Sequence, residues 1–167
     1  MQNYFELFQL APTYEIEITR LKLRYYELQQ QFHPDQYQEA AEKRQASQLS
    51  AYINDAYQTL QCGIKRATYL LSLNGIQLNQ TQTVTLSPEF LMEQMAFRER
   101  LVECKSDKAS LRAFLEDMTQ CILRNERKLS SLFEAWSENI DNIKNLINEM
   151  QFYQKLKSES ERFLWDC

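Results

Sequence analysis

Glycine and proline are scarce in this chain, and their scarcity constrains the fold more than any other feature of the sequence. Only two glycines and three prolines occur among 167 residues. A sheet-rich domain needs many tight turns, and such turns are built largely from these two residues. Long helices joined by few connections need much less of either. The sequence therefore predicts an all-α fold.

Composition and charge narrow the class of protein. Hydrophobic residues make up 44% and charged residues 25% of the chain, a balance typical of a folded domain. The net charge of −4 gives no electrostatic reason to expect a nucleic-acid partner. No segment is apolar over the length of a membrane span, and the first residues lack the features of a signal peptide. We therefore expect a cytoplasmic protein that binds neither nucleic acid nor membrane.

Four cysteines are scattered along the chain without a C-x-x-C pair: Cys62, Cys104, Cys121 and Cys167. Scattered cysteines in a cytoplasmic protein are typical of reduced thiols rather than of a disulfide framework or a zinc site. An iron–sulfur cluster needs several thiolates that converge, and this spacing matches no cluster motif. We expect no bound metal and no cofactor.

Helical periodicity organises the first half of the chain. Apolar residues at spacings of three and four form two stripes, one of Ile18, Leu21, Tyr25, Leu28 and Phe32, the other of Leu49, Ile53, Ala56 and Leu60. A short apolar segment at residues 4–8 precedes the first stripe. A further helix is expected at residues 64–73, with Asn74-Gly75 as its stop signal.

The second half predicts a bundle of three helices. Ser87-Pro88-Glu89 places an N-cap, a first-turn proline and a first-turn acid in the favoured order. Ser106-Asp107 is the next expected cap, and a last helix should begin near Trp136. Residues 76–86 contain a stretch rich in Gln, Asn and Thr and are interpreted as a linker. The predicted organisation is a first domain at 1–75, this linker, and the bundle at 87–167.

The tripeptide His33-Pro34-Asp35 lies between the two striped helices and contains the only histidine of the chain. A given tripeptide occurs by chance in roughly one chain in fifty of this length, so the motif alone is weak. Its setting between two amphipathic helices, after a short apolar helix, is more specific. This arrangement resembles the J domain, a helical hairpin with a His-Pro-Asp loop at its tip, over about residues 2 to 72.

The resemblance implies that the loop stimulates a DnaK-type ATPase and that the preceding helix supplies basic contacts. Lys22 and Arg24 best match those basic positions, although both could be ordinary solvated surface residues. The chain departs from the common pattern closer to the loop. The residues Gln29-Gln30-Gln31 and Gln36 stand where many J domains carry lysine or arginine. This loss of charge predicts weaker electrostatic steering or a specialised partner.

Three further stretches resemble the HscB family, the small J-type co-chaperones of iron–sulfur cluster assembly. They are Tyr4-Phe5-x-Leu-Phe, the run from Ala67 to Gly75 (ATYLLSLNG), and the run from Phe90 to Met95 (FLMEQM). With these stretches the likeness extends over essentially the whole chain. It implies that the C-terminal bundle binds the scaffold protein IscU and that the J domain acts on an HscA-type ATPase.

The helix that begins at Pro88 carries two apolar stripes, more than one core contact requires. Phe90, Gln94, Phe97 and Leu101 form the expected core side. The resemblance assigns contacts with IscU to the neighbouring face and to one residue of the last helix: Leu91, Met92, Met95, Glu99 and Phe152. Apolar residues at helical spacing are more often core residues. Whether Phe152 or Tyr153 faces the partner stays open.

The sequence thus favours an adaptor without catalytic activity that presents IscU to an HscA-type chaperone. A J protein with a different client is one alternative. A second is a small enzyme with His33 and Asp35 as acid and base, which requires a concave pocket and a shifted pKa. A third is a structural helical protein in which the tripeptide is a simple turn.

Overall fold

The computed structural model of the chain describes residues 3–78 and 87–166, and every regular element in these ranges is helical. The all-α fold expected from the scarcity of glycine and proline is confirmed. Internal packing divides the chain into two compact units, one ending at Gln77 and the other beginning at Leu78. Most of the expected linker, residues 79–86, lies outside the described residues.

The first unit is built around a helical hairpin. Its elements are α1 (Tyr4–Leu7), α2 (Ile18–Gln31), a 3-10 turn (Pro34–Gln36), α3 (Ala40–Gln61) and α4 (Gly63–Leu73). Leu21 and Leu28 of α2 and Ile53 of α3 are buried, as their stripes predict. Ile18 was expected on the same buried stripe, but its side chain is 43% exposed at the first position of α2.

Aromatic contacts attach α1 to the rest of the unit. The Tyr4 ring stacks on the Tyr69 ring with centroids 4.4 Å apart. The Tyr4 hydroxyl donates a hydrogen bond to an Asp55 carboxylate oxygen at 2.5 Å. Phe5 is fully buried. A four-residue helix is too short to be stable alone, so these tertiary contacts hold it in place.

The end of α4 follows its sequence signal. Gly75 adopts a positive φ of 78°, which costs glycine little because it has no Cβ. The N–H of Ile76 then donates to the Leu71 carbonyl at 2.9 Å, the pattern of a glycine-terminated helix. The predicted stop at Asn74-Gly75 is confirmed.

Three long helices form the second unit: α5 (Pro88–Cys104), α6 (Lys108–Glu134) and α7 (Ile140–Asp166). Ser87 caps α5, since its hydroxyl accepts the N–H of Phe90 at 3.1 Å, as predicted. The last helix begins at Ile140, four residues later than expected. The backbone of Ala135 leaves the helical region at φ −127° and ψ 51°, and a separate 3-10 turn (Trp136–Glu138) fills the gap.

Side chains from all three helices share the core of this unit. Its fully or nearly fully buried members include Phe90, Leu101, Leu111, Phe114, Met118, Tyr153 and Leu156. Between α6 and α7, the contact includes one buried polar residue. The Asn125 side chain is 1% exposed, and its amide donates to a Glu149 carboxylate oxygen at 2.9 Å. The amide is therefore satisfied despite its burial.

Asp107 caps α6 and makes the stability of the second unit depend on pH. Its carboxylate accepts the N–H groups of Ala109 and Ser110 at 3.3 and 2.9 Å. The hydroxyl and N–H of Ser110, and then the N–H of Ala109, lower the pKa of Asp107 from its ordinary value of 3.8. This stabilisation is present above pH 4 or so and is lost as the pH falls through the lowered pKa.

We expect Asp107→Ala to lower the melting temperature of the second unit by about 4–8 °C at pH 7, because an N-cap is lost. The difference from the unsubstituted protein should shrink as the pH falls below 3.8 and through the lowered pKa of Asp107, where the cap carboxylate becomes protonated. Circular dichroism melts over a pH series measure both effects. Asp107→Asn is the matched control, since it retains an acceptor oxygen. A constant difference at all pH values would show that ionisation of the Asp107 carboxylate does not stabilise the helix.

Candidate functional site

The His33-Pro34-Asp35 loop leaves α2 in a fixed direction. Phe32 ends the helix, and Pro34 begins the 3-10 turn, for which its ring presets φ. The His33 carbonyl accepts the N–H of Gln36 at 3.0 Å, which closes the turn. The tripeptide therefore forms a short ordered turn at the tip of the hairpin.

The imidazole of His33 is oriented by its own backbone. Its Nδ1 atom accepts the N–H of Asp35 at 3.2 Å and lies 3.6 Å from an Asp35 carboxylate oxygen. A nitrogen that accepts a hydrogen bond carries no proton, so the neutral ring carries its proton on Nε2. The loop thus offers one N–H donor from His33 and a carboxylate acceptor from Asp35.

Both polar groups of the loop are open to solvent. The His33 side chain is 55% exposed and that of Asp35 is 78% exposed. A groove of about 510 Å³ occurs on the second unit, but its lining includes neither of them. An acid–base pair needs a site that excludes water and positions a substrate, and the loop shows neither property. Its geometry suits contact with a protein surface.

The cations of α2 are less available than their number suggests. Lys22 is exposed. Arg24 is half-buried, and its guanidinium pairs with Glu27 across 2.8 Å, three residues further along the helix. Arg20, also exposed, donates to the Gln9 carbonyl at 3.3 Å. The two candidate contacts, Lys22 and Arg24, therefore lie on the same helix in different electrostatic settings.

Two of the glutamines near the loop hold the hairpin together. The Gln29 amide donates to the Ser50 carbonyl at 3.3 Å and accepts the Ser50 hydroxyl at 2.9 Å. The Gln36 amide donates to the Gln30 carbonyl at 2.7 Å and so ties the turn to the end of α2. In the sequence, these glutamines are recognisable only as missing cations. Their role in fixing the loop depends on tertiary neighbours that periodicity does not reveal.

Aromatic packing fixes α5 against α7. The Phe90 ring contacts the rings of Phe152 and Tyr153 edge-on, with centroids 5.8 and 6.1 Å apart. The Tyr153 hydroxyl donates to a Glu93 carboxylate oxygen at 3.2 Å. Burial, and then the charges of Glu93 and Glu149, raise the pKa of Tyr153, so the hydroxyl keeps its proton at neutral pH. These contacts direct the opposite face of α5 outward.

That outward face carries several exposed apolar side chains. Leu91 is 47% exposed, Met92 72% and Met95 64%, and Glu99 is also exposed. Val102, which is not among the contacts expected from the sequence, is 65% exposed. It follows Leu91 by eleven residues and Met95 by seven, so all three lie on one side of the helix. We call Leu91, Met92, Met95, Glu99 and Val102 the α5 outer face; it extends over about 16 Å.

The adjacent aromatic residues Phe152 and Tyr153 of α7 are both largely buried. Phe152 is 9% exposed and Tyr153 is 1% exposed, so neither presents a free ring. The Arg98 guanidinium lies 5.9 Å from the centroid of the Phe152 ring. Phe152 therefore lies beneath α5, whereas the other four expected scaffold contacts lie on the surface. The structure does not group Phe152 with them as an exposed contact.

The described residues contain no group of three or more His, Cys, Asp or Glu side chains that could hold a metal ion. Within residues 3–78 and 87–166, no helix has the length and apolarity to cross a membrane.

Comparison with known proteins identifies the family. Residues 86–161 match the family model described as the HSCB C-terminal oligomerisation domain. The co-chaperone protein HscB homolog of Vibrio cholerae is 40% identical over 167 residues, which cover 96% of this chain and 95% of that protein. The solved structure of chaperone HscB from Vibrio cholerae superposes with a TM-score of 0.82 at 38% identity, covering 96% of both chains. The human co-chaperone protein HscB gives a TM-score of 0.87 at 25% identity, covering 97% of this chain and 82% of the human chain.

The family match extends over both units of the chain. The first unit carries the hairpin and its His-Pro-Asp loop, and the second carries the segment that matches the C-terminal family model. With 40% identity over nearly the full length of a curated relative, this chain belongs to the HscB family of co-chaperones, all-helical proteins with a J domain followed by a C-terminal helical domain.

Proposed function

We propose that this protein is an adaptor for iron–sulfur cluster assembly that binds the scaffold IscU and delivers it to an HscA-type ATPase chaperone. The observation that carries the proposal is that one chain holds two unlike exposed surfaces. The first unit presents the polar His33-Pro34-Asp35 loop, and the second presents the apolar α5 outer face. Two surfaces of different chemistry suit two different protein partners.

The loop is the chaperone-binding site in this proposal. The exposed carboxylate of Asp35 accepts hydrogen bonds from cationic groups of the ATPase, and the Nε2–H of His33 donates one. Pro34 and the bond between Gln36 and the Gln30 carbonyl keep both groups in position before binding, which reduces the entropy lost on docking. Lys22 and Arg24 on α2 supply further polar contacts.

The α5 outer face is the scaffold-binding site. Exposed apolar side chains on a single helix are costly to leave in water and suit burial against a partner. The two methionines adapt their shape to an irregular surface, and Glu99 supplies a polar contact at the edge. Phe152 acts from beneath the face as a positioning residue, since its ring packs against Phe90 of the same helix.

The adaptor carries out no chemistry of its own. It raises the local concentration of IscU at the chaperone and, through the loop, promotes ATP hydrolysis in the chaperone. If the two binding events are coupled, each partner strengthens the binding of the other by the same factor. A J protein with a different client would retain the loop activity and lose the binding of IscU.

The steady-state ATPase rate of a cognate HscA should rise when this protein is added and should rise further when IscU is present. We expect the two together to stimulate at least about tenfold more than either alone, because binding is coupled. A coupled-enzyme ATPase assay measures the rates. Stimulation that IscU leaves unchanged would indicate a different client, and no stimulation by this protein would contradict the assignment as a co-chaperone.

Replacement of His33 by Gln should abolish ATPase stimulation while leaving the fold intact, because the exposed ring makes few contacts within its own unit. We expect a loss of maximal stimulation of at least about tenfold. The matched control is Gln38→Ala, an exposed residue three positions beyond Asp35 that should behave as the unsubstituted protein does. Unchanged stimulation by His33→Gln, with a normal circular dichroism spectrum, would refute the role of the loop.

Leu91→Ala combined with Met95→Ala should weaken the binding of IscU by about tenfold or more, since two exposed apolar contacts are lost. Isothermal titration calorimetry measures the affinity. Leu123→Ala removes an exposed apolar side chain from α6 instead and should leave binding unchanged. If both variants bind alike and both keep normal helicity, the scaffold-binding site lies elsewhere.

A further inference from the structure

The positive charge that α2 can offer to a partner is small. Of the three cations between Ile18 and Gln31, Arg24 is neutralised locally by Glu27, and Arg20 donates to the Gln9 carbonyl. Lys22 is the one cation of α2 that makes neither kind of contact with the described part of the chain. An electrostatic docking surface needs several unpaired charges, because each exposed pair contributes little.

The outward side of the same helix carries two large apolar side chains. Leu23 is 61% exposed and Tyr26 is 52% exposed, and they lie three residues apart on α2. Residues two positions apart lie on opposite sides of a helix. Leu23 follows the buried Leu21 by two positions, and Tyr26 precedes the buried Leu28 by two, so both point away from the packed side of α2. Single exposed apolar residues are ordinary, whereas a leucine beside a tyrosine forms a small continuous patch.

The tyrosine of this patch is held in place before any partner binds. The Tyr26 ring lies 5.5 Å from the Tyr25 ring, centroid to centroid, and Tyr25 in turn stacks on Tyr57 of α3 at 4.1 Å. The hydroxyl of Tyr25 also donates to Asn54 at 2.6 Å. A ring supported in this way loses little freedom on docking, which favours its use as a binding contact.

The patch continues the proposed chaperone-binding site. Tyr26 lies five residues before the end of α2 at Gln31, or about 7.5 Å along the axis, and His33 follows two residues later. Lys22 stands four residues before Tyr26 on the same side of the helix. A partner that contacts the loop and Lys22 at once therefore covers Leu23 and Tyr26 as well.

We infer that Leu23 and Tyr26 dock on an apolar area of the ATPase chaperone and replace much of the electrostatic contact that the paired charges of α2 do not provide. This inference rests on the proposed function, since the chaperone is the partner of the loop. Burial of a leucine and a tyrosine does not depend on dissolved ions, whereas the attraction between exposed charges falls steeply with ionic strength. Docking is therefore tolerant of salt.

The test is Leu23→Ala combined with Tyr26→Ala, assayed by stimulation of the HscA-type ATPase over a range of concentrations of this protein. We expect the concentration for half-maximal stimulation to rise about tenfold while maximal stimulation is retained, because the variant loses docking contacts and keeps the loop. In contrast, His33→Gln lowers the maximum. The matched control is Leu73→Ala, which removes an exposed leucine from the end of α4 and should leave both quantities unchanged.

A salt series tests the apolar character directly. Between about 0.05 and 0.3 M salt, the half-maximal concentration for the unsubstituted protein should change less than about threefold. A larger change would show that charge dominates and would overturn the inference, as would equal half-maximal concentrations for the unsubstituted protein and the double variant. Sedimentation of the double variant should match that of the unsubstituted protein. If the unsubstituted protein sediments as a dimer and the double variant as a monomer, a second copy of the chain covers the patch and the inference is overturned.

Failure of the inference and failure of the proposed function are distinguishable. If the unsubstituted protein does not stimulate the ATPase at all, the proposed function fails. If it does stimulate and the double variant matches it, the proposed function stands and only the docking role of Leu23 and Tyr26 is wrong. A normal circular dichroism spectrum for the variant excludes unfolding as the cause of a raised half-maximal concentration.

Discussion

Burial of a few large side chains sets the rotation of each helix about its own axis. The exposed side of α2 and the α5 outer face both depend on this constraint. Leu21 and Leu28 turn α2 toward α3, and Phe90 and Leu101 turn α5 toward its core. Each such burial removes apolar surface from water at about 25 cal/mol per Å². Whatever lies on the other side of the helix then faces solvent. The surfaces available to partners are therefore determined by the residues that point inward.

Local signals in the sequence predicted the helices well because their physical causes are local. The caps at Ser87 and Asp107 and the stop at Gly75 each depend on a few neighbouring backbone groups. The predicted start of the last helix lies four residues too early, since the non-helical backbone of Ala135 leaves no mark in hydrophobic periodicity. Ile18 has the spacing of the buried stripe of α2. It is nevertheless 43% exposed, because it stands at the first position of the helix, where few neighbouring side chains cover it.

The candidate sites were predicted only in part. The His-Pro-Asp motif and the second apolar stripe of α5 are visible in the sequence because they consist of residue types at fixed spacings. The sequence did not show that Arg24 is paired with Glu27, that Gln36 is bonded to the end of α2, or that both Phe152 and Tyr153 are buried. Val102 could have been found, since it continues the spacing of Leu91 and Met95. A helical pattern marks the members of a face, but only packing shows which face is covered.

The buried amide of Asn125 has a consequence for the distant α5 outer face. If α7 slid along α6 by one turn, Asn125 would lose Glu149 and leave a buried amide unpaired, a cost of about 1–3 kcal/mol. This polar pair therefore adds to apolar packing in fixing the axial register of the two helices. Phe152 and Tyr153 follow Glu149 by three and four residues and thereby stay aligned beneath Phe90. A hydrogen bond between α6 and α7 thus helps to set the position of the aromatic side chains against which the partner-facing helix packs.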